Sequence, residues 1–570
     1  MRNTDNKDKE EKVLLALLPF WDPLIPPVGI ACLKGFLQAH GYHVKTVDAN
    51  IDISLREGHD KYFEALKKFV PETNRGNIYN IGQKVLQNHM MAHLNYTDEK
   101  EYIKLVKALV FKTFFCAVDD RQVLALDEIL QGFYTGFENY FLDLLDKEKP
   151  GVLGLTVYDG TLPASLLAFK LAKQKNPHIL TVMGGGIFAN QLEVNSPNFD
   201  IFLEKTKHYI DKIIVGEGEM LFLKLLQGKL PDSQRFFTLA DTNGETVDLA
   251  TLDIPDYSDF HLEHYPLLAA IGSRSCPFQC NFCAETTYWG KFRKKNAAQI
   301  VRELNQLYQK HGRQLFLMSD SLLNPIITDL SREFLESGQS IYWDGFLRAD
   351  KSVCDTKNTM LWRRGGFYRA RLGLESGSAR VLQLMNKKIT PHRIKTALSG
   401  LAHAGIKTTA YWLIGYPGET EADFQQTLHL IRELKNDIYE ADCNPFNYFI
   451  TGQVKSGEWK EKNKSVLLYP EDTKNTLLTQ TWIMDQEPSR EEIFNRLYRF
   501  VQHCDELGIL NPYSLYDINK ADERWEKLHK NAVPPLIRFK ERGNYIDENK
   551  QVKELFSAKN LSRDAGDFAF

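Results

Sequence analysis

Cysteine is scarce in this chain: eight residues among 570, at positions 32, 116, 276, 280, 283, 354, 443 and 504. So few, and so scattered, they exclude a disulfide scaffold. No apolar run reaches the roughly 18 residues that a membrane-crossing helix needs. The opening stretch, Met1 to Lys12, is polar and charged where a secretory leader has an apolar centre, so a cytoplasmic location is expected. An excess of charge of one sign is also lacking. The formal net charge is −3, which leaves no broad basic field for nucleic acid and no polybasic anchor for a membrane surface. With 43% hydrophobic and 25% charged residues, the chain is an ordinary globular one, with room for roughly two to four domains.

Against that sparseness one cluster stands out. Cys276-Pro277-Phe278-Gln279-Cys280-Asn281-Phe282-Cys283 sets three thiols in CxxxCxxC spacing just after the apolar run Leu267 to Ile271. Thiolates are soft ligands, selected by iron–sulfur clusters and by zinc. A [4Fe–4S] cluster usually takes four cysteines, so three local thiols leave one iron open to something other than a side chain. A structural zinc is the alternative, with His261 or His264 as the fourth ligand.

The cysteine loop follows an expected strand and precedes about 170 residues of alternating helix and strand patterns. In motif and context it resembles the radical S-adenosylmethionine (SAM) superfamily, and Phe282 before the last cysteine fits that pattern. The resemblance implies a [4Fe–4S] cluster on Cys276, Cys280 and Cys283, with SAM chelating the open iron and cleaved reductively to a 5′-deoxyadenosyl radical. It also implies an electron donor of flavodoxin or ferredoxin type. A second cluster would need another group of cysteines, which neither end of the chain offers, so methylthiotransferase-type and auxiliary-cluster readings are set aside.

Ahead of the cysteines the pattern is β-α-β. A strand at Val13 to Leu18 leads through a proline-rich loop to a helix near 30–40 and a second strand at Tyr42 to Asp48. Residues 51–150 interrupt with helical stripes such as Ile103, Val106, Leu109 and Val110, too long for a loop and read as a helical insertion. The α/β pattern then resumes, with strands at Val152 to Val157, Ile179 to Met183 and Lys212 to Val215. The last two end in Gly184-Gly185-Gly186 and Gly216-Glu217-Gly218-Glu219. A doubly wound parallel sheet packs such alternation and binds ligands at its carboxyl strand ends. Tight turns alone would also account for the glycines.

Taken together, residues 1–228 resemble the Rossmann-like cobalamin-binding domain in front of many radical SAM barrels. That resemblance implies cobalamin near Thr156, Tyr158, Gly184, Gly185, Gly186 and Glu217. The Asp-x-His-x-x-Gly motif that gives cobalt a lower histidine ligand elsewhere is missing.

Residues 229–266 read as a linker or small hairpin, and 267–455 as six strand-helix units. The expected strands are 267–272, 314–319, 341–347, 368–374, 406–414 and 440–449. The fold class is therefore α/β: a doubly wound N-terminal domain with a helical insertion, a partial (β/α)6 TIM-type barrel, and a mostly helical domain over 456–570. Chemistry is expected at the C-terminal ends of the barrel strands. The resemblance carries SAM contacts to Phe282, Ser319, Asp320, Arg348, Glu375 and Ser376, the last two within Gly373-Leu374-Glu375-Ser376-Gly377-Ser378. No further catalytic residue is assigned. The basic run Lys291, Arg293, Lys294 and Lys295 is read as a solvated face.

The activity these resemblances imply is cobalamin-dependent methyl transfer to an unactivated carbon of a peptide or small metabolite. The alternative is a radical cyclisation, rearrangement or carbon–carbon bond formation without methyl transfer. A noncatalytic cobalamin or cluster sensor is the third reading. The insertion and the C-terminal domain lie outside both scaffolds and are the expected seats of substrate selection.

Overall fold

In the computed structural model, residues 12–339, 341–457, 459, 465–511 and 515–529 are described. The chain opens on β1 (Val13–Leu17), five apolar residues all buried, the run of a central parallel strand. Around it lie β2 (Val44–Asp48), β3 (Val152–Thr156), β4 (Leu180–Gly184), β5 (Lys212–Ile214) and β6 (Phe236–Phe237), all parallel, in the order β2-β1-β3-β4-β5-β6. Strand order reverses between β1 and β3, and a doubly wound sheet opens its ligand crevice at such a switch point. Helices α1 (Val28–Ala39), α7 (Leu162–Lys175), α8 (Pro197–Thr206) and α9 (Gly218–Leu226) provide connections in this unit.

Residues 53–148 are helical throughout most of their length, in α2 (Ile53–Phe69), α3 (Glu72–Arg75), α4 (Ile78–Asn95), α5 (Glu99–Phe114) and α6 (Asp120–Glu148). They do not disturb the sheet: Val13 to Leu17 pairs in register with both Val44 to Asp48 and Val152 to Thr156. Their apolar stripes enter one core shared with the strands.

Segment 229–266 is more than a linker. It supplies β6 to the first sheet, and Asp259 pairs with Lys34 of α1 at 2.7 Å and Lys45 of β2 at 2.8 Å. Tyr265 donates to Asp48 at 2.8 Å.

The second sheet, in the order β14-β13-β12-β11-β10-β7, is also parallel. Its strands are β7 (Leu268–Ala270), β10 (Leu315–Met318), β11 (Tyr342–Leu347), β12 (Phe367–Glu375), β13 (Lys407–Ile414) and β14 (Glu440–Pro445). Between β7 and β10 a two-stranded antiparallel ribbon, β8 (Ser273–Arg274) with β9 (Arg293–Lys294), closes the base of the cysteine loop. Helix α10 (Glu285–Trp289) lies inside that loop, and α11 (Ala297–His311) follows it. The outer helices continue as α12 (Ile327–Ser337), α13 (Thr356–Arg364), α14 (Ala379–Leu384), α15 (Pro391–His403) and α16 (Glu421–Glu433). Thr420 and Asp423 form a reciprocal capping box at the start of α16.

One strand departs from the usual apolar filling. Alternation along β12 puts Arg369 and Arg371 on one face, where Arg371 meets Asp344 at 2.8 Å and Arg369 meets Glu440 at 2.5 Å, all four buried.

After residue 456 the described chain holds a short hairpin, β15 (Ser465–Leu467) with β16 (Trp482–Met484), and helices Arg490–Glu506 and Leu515–Leu528. Ser489 caps the first through Glu492 N at 3.2 Å. Glu492 does not return the bond in a capping box, because its carboxylate turns to Arg496. Cys504 is buried on this helix. The sequence after Arg542, polar and charged for the most part, lies outside the described residues.

Candidate active site

The cysteine loop leaves the β8–β9 ribbon through Ser275, whose φ of +70° puts a non-glycine residue in the left-handed region. Such strain persists only where surrounding contacts hold it. Ser275 Oγ donates to Gly290 O at 2.7 Å, tying the two ends of the loop together. The turn after α14 forms the floor beneath it: Asn281 N and Nδ2 donate to Met385 O at 2.9 Å and Leu384 O at 2.8 Å, and Asn386 Nδ2 to Gln279 O at 2.7 Å. From the other side Gln453 Nε2 donates to Phe282 O at 3.1 Å, and Val454 N to Cys283 O at 3.3 Å.

Cys276, Cys280 and Cys283 line one cavity of about 680 Å³ with Phe282, Arg348, Glu375 and Lys387. Arg348 Nη1 stands 3.5 Å from Cys280 Sγ, its guanidinium lies 4.1 Å over the Phe278 ring, and its Nη2 is buried without a hydrogen-bond partner among the described residues. Glu375, at φ +65°, pairs with Lys387 at 2.7 Å, and Lys387 in turn lies 5.4 Å over the Phe282 ring. A Cβ on Gly373 would meet Glu375 Oε1 at 2.6 Å, so that position has room for the ion pair only as glycine.

Burial pushes the thiols of Cys276 and Cys283 above their ordinary range. As iron ligands they would be thiolates, which the metal stabilises. Among the described residues no three His, Cys, Asp or Glu side chains converge on a single ion. A cubane takes each thiolate on a different iron, so its ligands ring a wider space than those of one zinc. His261 and His264 precede β7, whereas the cysteines follow its carboxyl end. His261 is exposed beside Glu263 at 3.3 Å.

A second cavity, about 160 Å³, sits at the carboxyl edge of the first sheet beside its switch point. Thr156, Tyr158, Gly184, Gly185, Gly186 and Glu217 all line it. The glycines there have different causes. Gly185, at φ +112°, lies so close to Val157 that a Cβ would come within 2.4 Å of its N, whereas a Cβ on Gly216, at φ +93°, would enter open space. Glu217 is occupied by ion pairs, with Arg274 at 2.9 Å and with Arg293. This cavity is below the roughly 300–1,000 Å³ of an ordinary ligand pocket, so it suits one arm of a large cofactor.

The two cavities share Ser321 in their walls. Helix α10 lies at the same seam, and its Tyr288 hydroxyl donates to Gly185 O at 3.3 Å.

Several expected residues fall elsewhere. Ser319 lines the smaller cavity, with its buried hydroxyl unpartnered. Asp320 reaches neither cavity: it accepts from Gly272 N at 3.0 Å and from Ser273 Oγ, holding the strand that leads into the cysteine loop. Ser376 is fully buried and accepts from Ser378 N at 3.1 Å, a turn-forming role. Gly377 packs so tightly on α16 that a Cβ would meet Thr427 Cα at 2.6 Å. The basic run is not a solvated face throughout, since Lys295 is buried against Glu303 at 2.6 Å and Arg293 is paired with Glu217. Lys387, Phe278 and Tyr288 escaped the sequence reading, for each depends on a packing partner that no local spacing announces.

Residues 271–431 match the family model described as the Radical SAM superfamily. An anaerobic magnesium-protoporphyrin IX monomethyl ester cyclase from Rubrivivax gelatinosus is 26% identical over 320 residues, which are 51% of this chain and 55% of the cyclase. An uncharacterised methyltransferase from Pyrococcus horikoshii is 24% identical over 52% of this chain and 66% of that protein. The chain thus spans between half and two thirds of these curated relatives. Among solved structures, the radical SAM methyltransferase TsrM from Kitasatospora setae, with cobalamin and a [4Fe–4S] cluster bound, superposes with a TM-score of 0.53 at 13% identity. That match covers 87% of this chain and 88% of TsrM. TsrM with tryptophan substrate and a SAM analogue gives 0.58 at 13% identity, over 96% of this chain and 100% of TsrM.

Proposed function

We propose that this chain, a radical SAM enzyme across residues 271–431, transfers a methyl group through cobalamin to an unactivated carbon of a peptide or small metabolite. The observation that carries this reading is the meeting of two cavities at one wall, one faced by three thiols and the other built at the switch point of a doubly wound sheet. When bound, the cluster and SAM supply a carbon radical, and cobalamin supplies a methyl carrier for carbons too weakly nucleophilic to attack SAM.

The protein's own groups provide the setting. Cys276, Cys280 and Cys283 would hold three irons. Arg348 sets a fixed positive charge beside the Cys280 sulfur, and its unpartnered Nη2 is ready to receive a carboxylate such as that of SAM. The Glu375 carboxylate, steadied by Lys387, is placed to accept from an ammonium or a ribose hydroxyl. Thr156, Tyr158 and the Gly184 to Gly186 turn would hold cobalamin, and Glu217 would keep that wall in place through its arginines. Phe282 packs with Tyr416, Tyr448 and Trp459, closing the cysteine side against water. Electrons would come from a flavodoxin- or ferredoxin-type donor. Among the described residues no helix is long and apolar enough to cross a membrane.

Anaerobic reconstitution with iron, sulfide and hydroxocobalamin, then desalting and metal analysis, tests the reading. Four irons and about one cobalt per chain are expected, the four as in a full cluster. Deuterium-labelled methyl on SAM should then appear in product. Iron without cobalt would move the assignment to a radical cyclisation, rearrangement or carbon–carbon bond formation.

A further inference from the structure

The cavity that holds the three thiols has a far wall made by the insertion. Helix α4 is buried on almost every side, yet Asn80, Gln83, Lys84 and Gln87 recur at helical spacing along the face that lines this cavity. Opposite them the loop after β3 presents Asp159, and the segment after β4 presents Gln191. Four of these side chains form one hydrogen-bonded chain. Lys84 Nζ donates to Gln87 Oε1 at 3.1 Å, Gln87 Nε2 to Gln191 Oε1 at 3.4 Å, and Gln191 Nε2 to Asp159 Oδ2 at 2.5 Å. Every donor in it points from the lysine towards the aspartate.

The ends of this chain are incompletely satisfied. Among the described residues, Asp159 Oδ1 is buried with no hydrogen-bond partner, and Lys84 makes one of the three bonds that an ammonium can donate. Two other opposite charges that line the cavity are joined, Arg56 to Asp22 at 2.5 Å and Lys387 to Glu375 at 2.7 Å. Lys84 and Asp159 are held apart by the two glutamines, although each lies in the other's field. Burial lowers the lysine pKa and raises that of the aspartate, so both ends gain from a ligand that brings the opposite charge.

We infer that this wall is a binding site for the zwitterionic head group of an α-amino acid, its ammonium on Asp159 and its carboxylate on Lys84. A simple anion would leave the aspartate unpaired and a simple cation would leave the lysine unpaired, whereas a zwitterion answers both at once. The rest of the cavity sets the body of the ligand. Trp21, Phe346, Tyr411, Phe446 and Trp482 line the same cavity of about 680 Å³, part of which the cluster and SAM would take, and they suit the remainder to an apolar or aromatic side chain. The inference deepens the methyl-transfer reading, on which it rests, by naming the substrate class.

The test is calorimetric titration of the anaerobically reconstituted full chain with L-tryptophan, L-tyrosine and L-phenylalanine, and with their N-acetyl and carboxamide forms. Saturating S-adenosylhomocysteine keeps the SAM site filled throughout. At least one free amino acid should bind, and either cap should weaken it on the order of ten- to a hundredfold. Asp159→Asn should erase the penalty of the N-acetyl cap, and Lys84→Met that of the carboxamide. If the variants do not fold, the capped ligands on the wild type decide alone. Binding of the capped forms as tight as that of the free ones, or no binding by any of the three while S-adenosylhomocysteine fills the SAM site, would overturn the inference. Reductive SAM cleavage by the same preparation separates the two readings. Cleavage without amino-acid binding removes only this site, and amino-acid binding without cleavage removes the radical chemistry.

Discussion

Arg348 is the side chain whose removal says most about the cysteine cavity. It lies 3.5 Å from the Cys280 sulfur and stacks on Phe278, so Arg348→Met keeps much of the bulk and removes the charge. Nearby charge and hydrogen bonds to sulfur tune a cluster's potential, so the variant should assemble its cluster with a more negative midpoint. SAM cleavage should slow by roughly ten- to a hundredfold, the worth of one charge-assisted hydrogen bond. Redox titration followed by electron paramagnetic resonance measures the first, and an unmoved midpoint would count against this role. Asp320 governs a pH effect instead. Burial lifts its carboxyl to about 6, against the hydrogen bonds from Ser273 and Gly272. With the folded pKa above the unfolded value of about 3.9, the native state holds the extra proton between those values. This contribution is therefore complete below about pH 4 and lost as pH rises through about 6, a cost of roughly 3 kcal/mol for the ionised form. Urea midpoints should fall between about pH 4 and pH 6.5, and Asp320→Asn should flatten that leg of the curve. A wild-type curve already level there would refute the assignment.

Elements were legible where burial is symmetrical. Strands such as Val13 to Leu17 are covered on both faces and read as unbroken apolar runs, so every strand of the two sheets except the two-residue β6 could be placed from sequence. The ends of strands were harder, because adjacent residues face opposite ways there: Ser319 meets a cavity and Asp320 the backbone behind it, Glu375 a cavity and Ser376 the turn. The polar inner face of β12 left no readable signal, since a lone arginine in a strand reads as exposed. Its Arg371–Asp344 pair is buried, and Asp344 Oδ1 already lacks a partner. Arg371→Leu should thus cost about 3–5 kcal/mol, and adding Asp344→Leu should restore much of it. Urea unfolding of the single and double variants measures this; equal losses in both would show that the pair carries no coupling.

At the scale of the whole molecule the insertion is wall as well as addition. Its helical character was readable from apolar spacing, but its seat was not, because Asn77 and Asn80 reach Cys443 O at 3.2 Å and Asn444 at 3.0 Å across more than 360 residues of chain. Deleting 53–148 behind a short glycine linker should leave apolar surface of the shared core uncovered, so the product is expected to be insoluble or molten. Near-ultraviolet circular dichroism checks this, and a soluble deletion with native signals and a full iron load would disprove it. The β8–β9 ribbon has a consequence of another kind. Arg274 and Arg293 stand at the two feet of the cysteine loop, and their charges are met by Glu217 and Glu219 at the edge of the first sheet. The loop is in effect an arch belonging to one half of the molecule whose abutments are footed on the other. Cut at the boundary between the halves, it would lose its foundations before it lost a single ligand.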